Sequence, residues 1–430
     1  MEATPPIPPE IPSVERTALR ELGRRLADAA ESPRNRECVA RWRAHDAAGA
    51  DRPLVLAEIG GDLAMVEPDF RPVCQHPWAR EAENGIRRDL ANFGTVGDDC
   101  PLEPRLVVNR SCRFSDYGFG PLHQTGGGDA DGAAGKGAFH IEPWMRNFPA
   151  DLDRLRPRRF AVDRAGDEAR RAELARVFDG LLDVDFGGLP LWSFGLTQIA
   201  VRFLGIEGFW LAMYDEPEGL HRLMAYIRDD HLAILDWLER EGLLGLNNRN
   251  DYIGSGSRGY TARLPRPETL AGGAIGPPDL WGLLESQETV GVSPEQYAEF
   301  VFPHENALAR RFGAVYYGCC EPVHGRWEVL RGMDNLRRAS VSPWCDEAFC
   351  AEAFGREIVY SRKPNPTLVS TGRFDEDAIR IDLLHTLELT KRHGCRTEII
   401  MKDVHTLAGE PDRLARWTRL ARESIDKAYG

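Results

Sequence analysis

Several features that mark nucleic-acid-binding, membrane and secreted proteins are missing from this sequence. It has no block of clustered Lys and Arg, and its formal net charge of −13 at pH 7 disfavours binding to a phosphate backbone. It has no evident run of the roughly 20 apolar residues that cross a bilayer. Its first residues lack the basic and apolar regions of a secretory signal. We therefore expect a cytoplasmic protein with no nucleic-acid partner and no membrane partner.

Cysteine is sparse and irregularly spaced. The 430-residue chain has nine cysteines, an odd number that does not suggest a framework of disulfide bonds. A chain of this length can bury a large core without such bonds, and its composition, 42% hydrophobic and 28% charged, is that of a globular protein. We expect the cysteines to be reduced thiols that serve as metal ligands or as core residues.

The most informative stretch runs from Gly313 to His324 and reads GAVYYGCCEPVH. Its apolar and aromatic residues at 314–317 predict a short buried strand. A glycine then permits an unusual φ, and Pro322 prevents the strand from continuing. Cys319 and Cys320 are thus predicted at the carboxyl end of a strand, where parallel α/β proteins carry their active sites. The alternative is that both are small buried hydrophobic residues.

Similar apolar runs that end in polar residues recur along the chain, with helix-compatible segments between them. These predicted strands include 54–57, 104–109, 189–193, 244–248, 280–284 and 314–317, then the runs in RRASVSPW, EIVYSRKPNP and TEIIMKDVHT. Roughly eight such units favour an α/β fold, a closed (β/α)₈ TIM barrel, over residues 51–430. Residues 1–50 are predicted as a partly helical N-terminal extension that breaks near Ser32. A glycine-rich stretch at 116–137 is predicted as a lid or insertion.

The order of the motifs resembles that of the uroporphyrinogen decarboxylase superfamily. The likeness rests on PLWSFGLTQIAVRFLG, SPEQYAEFVFPHENALA, the cysteine strand and the final KDVHT. The superfamily includes a decarboxylase of haem biosynthesis and zinc-dependent methyltransferases that move a methyl group from a corrinoid protein to a thiol. The decarboxylase branch has arginines near its first strand, where this chain has Glu58 and Asp62. The resemblance therefore favours the methyltransferase branch.

The resemblance also implies a zinc site. Cys319 takes the place of the cysteine in a His-x-Cys motif, Cys320 stands beside it, and His405 stands where a last cysteine would be. Zinc accepts thiolate, imidazole and carboxylate ligands, and the carboxylate would come from Glu288, Glu285 or Glu321. Cys320 is the favoured cysteine, because it follows the predicted turn. The metal would lower the pKa of a bound thiol, so that a thiolate can attack a methyl group.

The remaining predicted site residues surround this centre. Tyr317, Glu321 and Asp403 are assigned catalytic or ligand-orienting roles, although Asp403 could simply pair with its neighbour Lys402. The predicted substrate-binding residues lie at strand ends and in a polar loop: Glu58, Asn248, Arg362 and Lys363. For Arg362 and Lys363 the alternative is a salt bridge across the barrel mouth.

The favoured function is therefore that of a zinc-dependent methyltransferase. Its partners would be a small-molecule substrate and a corrinoid protein, and the resemblance also suggests a homodimer. The main alternative is a metal-free decarboxylase or lyase that acts on a carboxylated small molecule or a tetrapyrrole. A third alternative is a protein that binds a corrinoid or tetrapyrrole without catalysis.

Overall fold

The structure is a computed structural model that describes residues 10–47, 52–119, 123–125 and 139–430. The predicted glycine-rich loop at 116–137 lies largely outside the described residues, so its interpretation as a lid stays a prediction. The described strand at 123–125 pairs antiparallel with residues 139–141.

Helices and short strands alternate along the described chain. The α-helices are α1 Ser13–Ala30, α2 Pro33–Asp46, α3 Pro77–Ala91, α4 Arg164–Val177, α5 Leu196–Asp215, α6 Pro217–Arg240, α7 Pro267–Leu270, α8 Pro294–Phe300, α9 Phe302–Ala309, α10 Trp327–Leu330, α11 Glu347–Phe354, α12 Thr367–Ser370, α13 Glu376–Arg392 and α14 Arg413–Tyr429. The strands are β1 Leu54–Ala57, β2 Arg105–Val108, β3 Cys112–Phe114, β4 His123–Thr125, β5 Phe139–Ile141, β6 Phe160–Val162, β7 Asp183–Phe186, β8 Tyr252–Gly254, β9 Ser257–Arg258, β10 Trp281–Leu284, β11 Ala314–Tyr317, β12 Leu336–Val341, β13 Val359–Arg362 and β14 Thr397–Met401.

The centre of the molecule is a parallel sheet of six strands in the order β1-β14-β13-β12-β11-β10. Strands β2 and β7 form a second, two-stranded parallel sheet. A parallel sheet covered by helices buries both faces of its strands, which explains their nearly continuous apolar sequences. The α/β class and the parallel sheet are confirmed. The closure predicted for a complete barrel is not present as strand pairing, since no ladder among the described residues joins the two sheets.

Side chains occupy both edges of the six-stranded sheet. At the β1 edge, the backbone N–H of Val55 donates to Asp99 (2.9 Å) and that of Ala57 to Asp98 (2.9 Å). At the β10 edge, the Asn247 amide accepts from Trp281 N–H (2.9 Å) and donates to its carbonyl (3.0 Å). These contacts satisfy backbone groups that a neighbouring strand would pair in a closed barrel.

The hairpin β8–β9 packs against side chains of the sheet. A Cβ on Gly254 would lie 2.5 Å from the Tyr316 ring, and one on Gly256 would lie 2.6 Å from Ile400. Gly256 also has φ +91, a conformation that favours glycine. The hairpin therefore approaches the sheet at a distance that only glycine permits.

Two predicted strands were wrong. Residues 189–193 form no strand. The strand that precedes helix α5 is β7, which lies earlier in the chain. The apolar run LPLWS contains Pro190, which has no N–H for a ladder, whereas DVDF in β7 alternates polar and apolar residues. Residues 244–248 are likewise not a strand, and their contribution is the Asn247 side chain at the sheet edge.

The N-terminal helices pack against the sheet. The break predicted near Ser32 is present, and the Ser32 side chain caps α2 by accepting from the Asn35 N–H. Trp42 of α2 is fully buried and donates from its indole to the Asp99 carbonyl (2.6 Å). His45 contacts the carbonyl of Thr397, the first residue of β14, at 3.1 Å. Helix α2 therefore covers the amino end of the sheet.

Helix α5 is longer and more apolar than the sequence analysis expected of any segment. Among the described helices it alone has the length, 20 residues, and the mean hydropathy, 1.2, that would suit a membrane span. Phe203 and Phe209 of this helix are fully buried in the same core cluster as residues of α6. Partial burial inside the fold is typical of a core helix, so α5 is weak support for a membrane protein.

Candidate functional site

The carboxyl ends of the central strands bring most of the predicted site residues to one edge of the sheet. Because parallel strands share one direction, the residues that follow them lie at the same edge. The predicted residues that follow β1, β10, β11, β13 and β14 are Glu58, Glu288, Cys319, Cys320, Glu321, Lys363, Asp403 and His405.

The two cysteines after β11 form a close thiol pair. Gly318 has φ +95, and this turn places the sulfur atoms of Cys319 and Cys320 3.6 Å apart. Cys319 is buried and Cys320 is exposed. The hydrogen bond from the Cys319 thiol lowers the pKa of Cys320, whereas that same bond and burial raise the pKa of Cys319. Cys320 is therefore the sulfur that carries negative charge more readily, as expected of a reactive thiol.

Lys402, directly after β14, acts electrostatically on this thiol pair. Its ammonium donates to the Ser255 hydroxyl (3.4 Å) and forms an ion pair with Asp403 (3.6 Å). Burial opposes its charge, but Tyr252, Cys319, Asp403 and Glu58 outweigh burial and raise the pKa of Lys402. The charges of Lys402 and Asp403 act on the Cys320 thiol in opposite directions: Lys402 lowers its pKa and Asp403 raises it.

Three glutamates form an acidic cluster at the ends of β10 and β11. Glu285 is fully buried and accepts from the Gln198 amide (2.6 Å), and Glu288 accepts from the Thr197 hydroxyl (2.7 Å). Glu321 accepts from the N–H groups of Ser286 (3.0 Å) and Cys319 (2.9 Å). Burial, together with the charges of Glu321 and Glu288, raises the pKa of Glu285 to about 9. Glu285 is therefore a neutral carboxylic acid at pH 7.

Tyr317 connects the acidic cluster to a buried hydroxyl network. Its phenol lies 2.7 Å from the Ser286 hydroxyl and 3.1 Å from that of Tyr297, which donates to Glu305 (2.5 Å). Arg326 donates to Ser286 (3.1 Å). Burial raises the pKa of Tyr317, so its phenol stays protonated. In this structure Tyr317 orients Ser286, whose backbone N–H holds Glu321.

Lys363 lies in a second buried polar network on the neighbouring strands. Its ammonium donates to Ser361 (2.6 Å) and Tyr316 (2.9 Å), and Ser361 donates to Glu398 (2.5 Å). Glu398 also pairs with Arg338 (3.3 Å). Burial lowers the pKa of Lys363 to about 7. Sequence reasoning missed Arg338 and Glu398, although a charged residue inside an apolar strand was a signal for an interior polar network.

Two predicted substrate-binding residues have structural partners. Arg362 forms ion pairs with Glu347 of α11 (2.7 Å) and Asp382 of α13 (3.2 Å), and its role in substrate binding stays a prediction. The amide of Asn248 donates to the Leu264 carbonyl (2.7 Å). Neither contact points to a substrate.

The predicted zinc ligands do not form a complete site. Two thiolates bound to one zinc at about 2.3 Å would lie about 3.8 Å apart in tetrahedral geometry, and the observed 3.6 Å between the cysteine sulfurs is close to that spacing. Within the described residues, however, no three His, Cys, Asp or Glu side chains are grouped as metal ligands. His405 is exposed. The donor set as arranged does not fit zinc, and both zinc and a corrinoid stay predictions.

A cavity of about 280 Å³ lies near the ends of β2, β7 and β10. Apolar side chains and amides line it, among them Leu189, Trp192, Asn250 and Tyr252. Tyr252 belongs to the hairpin β8–β9, whose Ser255 accepts from Lys402 (3.4 Å) at the carboxyl edge of the sheet. The volume suits a small organic molecule.

Comparison with known proteins yields only distant likenesses among solved structures. No protein-family model matches the chain, and no curated protein matches it. A solved structure described as a methyltransferase from Methanosarcina mazei has 11% identity and a TM-score of 0.47, and the match covers 91% of this chain and 99% of that one. A likeness at this level does not assign an activity. The resemblance to the uroporphyrinogen decarboxylase superfamily stays a prediction.

Proposed function

We propose that this chain is a methyltransferase-like enzyme that acts on a small molecule at the carboxyl edge of its sheet, with the Cys320 thiolate as the reactive sulfur. The observation that carries the proposal is the contact of 3.6 Å between Cys319 and Cys320. A thiolate is the nucleophilic form of cysteine, and a hydrogen-bond donor and a nearby cation both favour it.

In the proposed step, the Cys320 sulfur attacks the methyl carbon of a donor. The S–C bond forms as the bond to the leaving group breaks, and the leaving group takes the electron pair. Glu285, which is neutral at pH 7 and interacts electrostatically with Cys319, supplies a proton to that group.

Methylcobalamin is the donor for the first test. After incubation of the protein with it, we expect a methyl group on the peptide that contains Cys320, detected by mass spectrometry. The Cys320→Ser variant should show none, whereas Cys112→Ser, at a thiol that is only partly exposed, should react as wild type. Equal methylation of wild type and Cys320→Ser would contradict the proposal.

Elemental analysis tests whether the thiolate acts alone or on zinc. About one zinc per chain, lost in both Cys320→Ser and His405→Ala, would support the ligand set predicted from the sequence. Metal-free protein that still methylates Cys320 would show that the hydrogen bond from Cys319 and the charge of Lys402 suffice.

A carboxy-lyase is the second candidate function, and neutral Glu285 favours it. Lys402 would bind a substrate carboxylate. As the C–C bond breaks, CO₂ leaves, the electron pair stays on carbon, and Glu285 donates its proton there. This activity should survive Cys320→Ser and be lost in Glu285→Gln, so release of CO₂ from carboxylated substrates by the two variants separates the two functions.

A further inference from the structure

The turn that carries Cys319 and Cys320 is fixed from both sides by neighbouring strands. The Gly318 N–H donates to the carbonyl of Leu284 in β10 (2.8 Å). On the other side, the Ser340 hydroxyl of β12 donates to the Cys319 carbonyl (2.9 Å). A Cβ on Gly318, which has φ +95, would lie 3.2 Å from the Cβ of Ser340. The backbone under the two thiols is therefore held in place before any ligand arrives.

The two sulfur atoms form a site with two soft ligands. They lie 3.6 Å apart, and Cys320 is exposed whereas Cys319 is 8% exposed. In the part of the chain that the structure describes, no third His, Cys, Asp or Glu side chain joins them in a metal-binding group. Zinc takes three or four protein ligands, so two sulfurs do not complete its coordination. The pair fits an acceptor that two thiolates complete.

The spacing of the two cysteines suits an atom between the sulfurs better than a direct disulfide bond. Their peptide bond is trans, so their Cα atoms lie about 3.8 Å apart, whereas bridged cysteines usually have Cα atoms about 4.4 Å or more apart. An arsenic–sulfur bond is about as long as the zinc–sulfur bond, about 2.3 Å, and a pyramidal arsenic with bond angles a little below tetrahedral would hold its two sulfurs about 3.5 Å apart. The observed distance of 3.6 Å agrees with this geometry.

We propose that Cys319 and Cys320 form a binding site for trivalent arsenicals that carry one organic group. Such an arsenical, R–As(OH)₂, has two exchangeable hydroxyl groups, and thiolate is a soft ligand that suits a soft acceptor. The exposed Cys320 sulfur reacts first, and the Cys319 sulfur then closes the ring. Each sulfur forms a bond to arsenic as one As–OH bond breaks, and each thiol proton leaves with the hydroxide as water. Arsenic stays trivalent, so the step needs no oxidant or reductant.

The fixed turn makes the second arsenic–sulfur bond an intramolecular step. A second bond within the same molecule can raise the overall affinity by about 10²–10⁴ over that of one bond, provided that the geometry permits both. A site with a single cysteine lacks this gain. The arsenical needs neither a methyl donor nor the proton of Glu285. Failure of methyl transfer to Cys320 would therefore leave this proposal intact.

Phenylarsine oxide, which hydrates to the R–As(OH)₂ form, is the probe for the test. With 2-mercaptoethanol present as a competing monothiol, we expect intact mass spectrometry to show one phenylarsenic group on reduced wild type. Cys319→Ser and Cys320→Ser should each bind it roughly 100-fold more weakly. Cys345→Ser should bind as wild type, and it is the control because Cys345 and Cys350 are the next closest cysteines along the chain. No binding by wild type, wild-type affinity in Cys320→Ser, or loss of binding in Cys345→Ser alone would overturn the proposal.

Alkylation of folded wild type is a second measurement that needs no variant. Phenylarsine oxide should protect the exposed Cys320 from N-ethylmaleimide, whereas the partly exposed Cys112 should be labelled equally with and without it. Dimercaptopropanol, a dithiol that can take both arsenic–sulfur bonds, should restore the labelling of Cys320, and the same concentration of 2-mercaptoethanol should not. Labelling of Cys320 that phenylarsine oxide leaves unchanged would contradict the site. Protection that 2-mercaptoethanol reverses would show a single arsenic–sulfur bond and would contradict the role of Cys319.

Discussion

At the scale of single residues, the candidate site is dominated by ionisable groups whose surroundings shift their pKa away from its ordinary value. Glu285 is buried among other carboxyl groups and stays protonated, whereas Cys320 accepts a hydrogen bond that favours its thiolate. An acid and a nucleophile are thus both available at neutral pH on neighbouring strand ends. These states depend on contacts between residues far apart in the sequence.

Glu285 should make stability depend on pH. Its pKa is raised from 4.5 to about 9 on folding, so between those values the folded state holds a proton that the unfolded state has lost. Stability should therefore fall with rising pH in that window, by up to about 1.4 kcal/mol per unit from this group. Glu285→Gln mimics the neutral acid, and its denaturation curves from pH 6 to 9 should lack this contribution. The control is Glu328→Gln at an exposed pair. An unchanged slope in Glu285→Gln would contradict the assignment.

The buried pair of Arg338 and Glu398 should be costly to break. Both side chains are fully buried, and Arg338 also donates to Ser257 (2.7 Å). Glu398→Ala would leave the buried arginine charge with only its longer ion pair to Asp46 (3.6 Å), and we expect a loss of about 3–5 kcal/mol in the free energy of unfolding. Glu328→Ala, which removes the exposed partner of Arg331, should have little effect in the same urea titration. A loss below about 1 kcal/mol for Glu398→Ala would show that water or a rearranged neighbour compensates for the missing carboxylate.

At the scale of elements, the hairpin β8–β9 positions several site groups. Ser255 at its turn contacts Lys402, and Ser257 contacts Glu398. The close approach to β14 requires that Gly256 have no side chain. A short two-stranded element thus links the candidate site to the interior network.

Gly256→Ala tests the seating of this hairpin. The new methyl group would lie 2.6 Å from Ile400 at a φ of +91, so strain and overpacking add, and we expect a loss of about 2–5 kcal/mol in stability. Gly272→Ala is a matched control, because Gly272 has φ +97 but no atom within 4 Å of the added Cβ. Gly272→Ala should lower the free energy of unfolding only by the cost of a left-handed backbone conformation for alanine, about 1–2 kcal/mol. Equal losses in thermal or urea denaturation would exclude a steric role for the hairpin contact.

At the scale of the whole molecule, elements from both ends of the chain meet at the β1 edge of the six-stranded sheet. Asp99 accepts from Val55 of β1 (2.9 Å), from Arg41 of α2 (3.0 Å) and from Arg422 of α14 (2.8 Å). One carboxylate therefore joins the first strand to both ends of the chain. Helix α2 and helix α14 stabilise the sheet through these contacts.

Trp42→Ala should show how much the N-terminal helices contribute. Trp42 is fully buried against Tyr260 and near Arg338, so its removal should cost about 3–5 kcal/mol. Trp344→Ala, at a side chain that is 68% exposed, should change stability little. A change below about 1 kcal/mol for Trp42→Ala in urea unfolding would mean that α2 is only loosely attached.

What the sequence by itself determined is local. The strand before Cys319, the break at Ser32, the turn at Gly318 and the placement of polar residues after buried strands all follow from residue type and spacing along a few neighbouring positions. The class of fold follows from their alternation with helices.

Only the tertiary structure decided which groups meet. The cap of Asn247 on β10, the ion pair of Arg362 with Glu347 and the pair of Arg338 and Glu398 all join residues more than 14 positions apart. Local pattern carries no information on such distances. The charge states of Glu285 and Cys320 were also decided at this level, because a pKa depends on the burial and the donors that folding supplies.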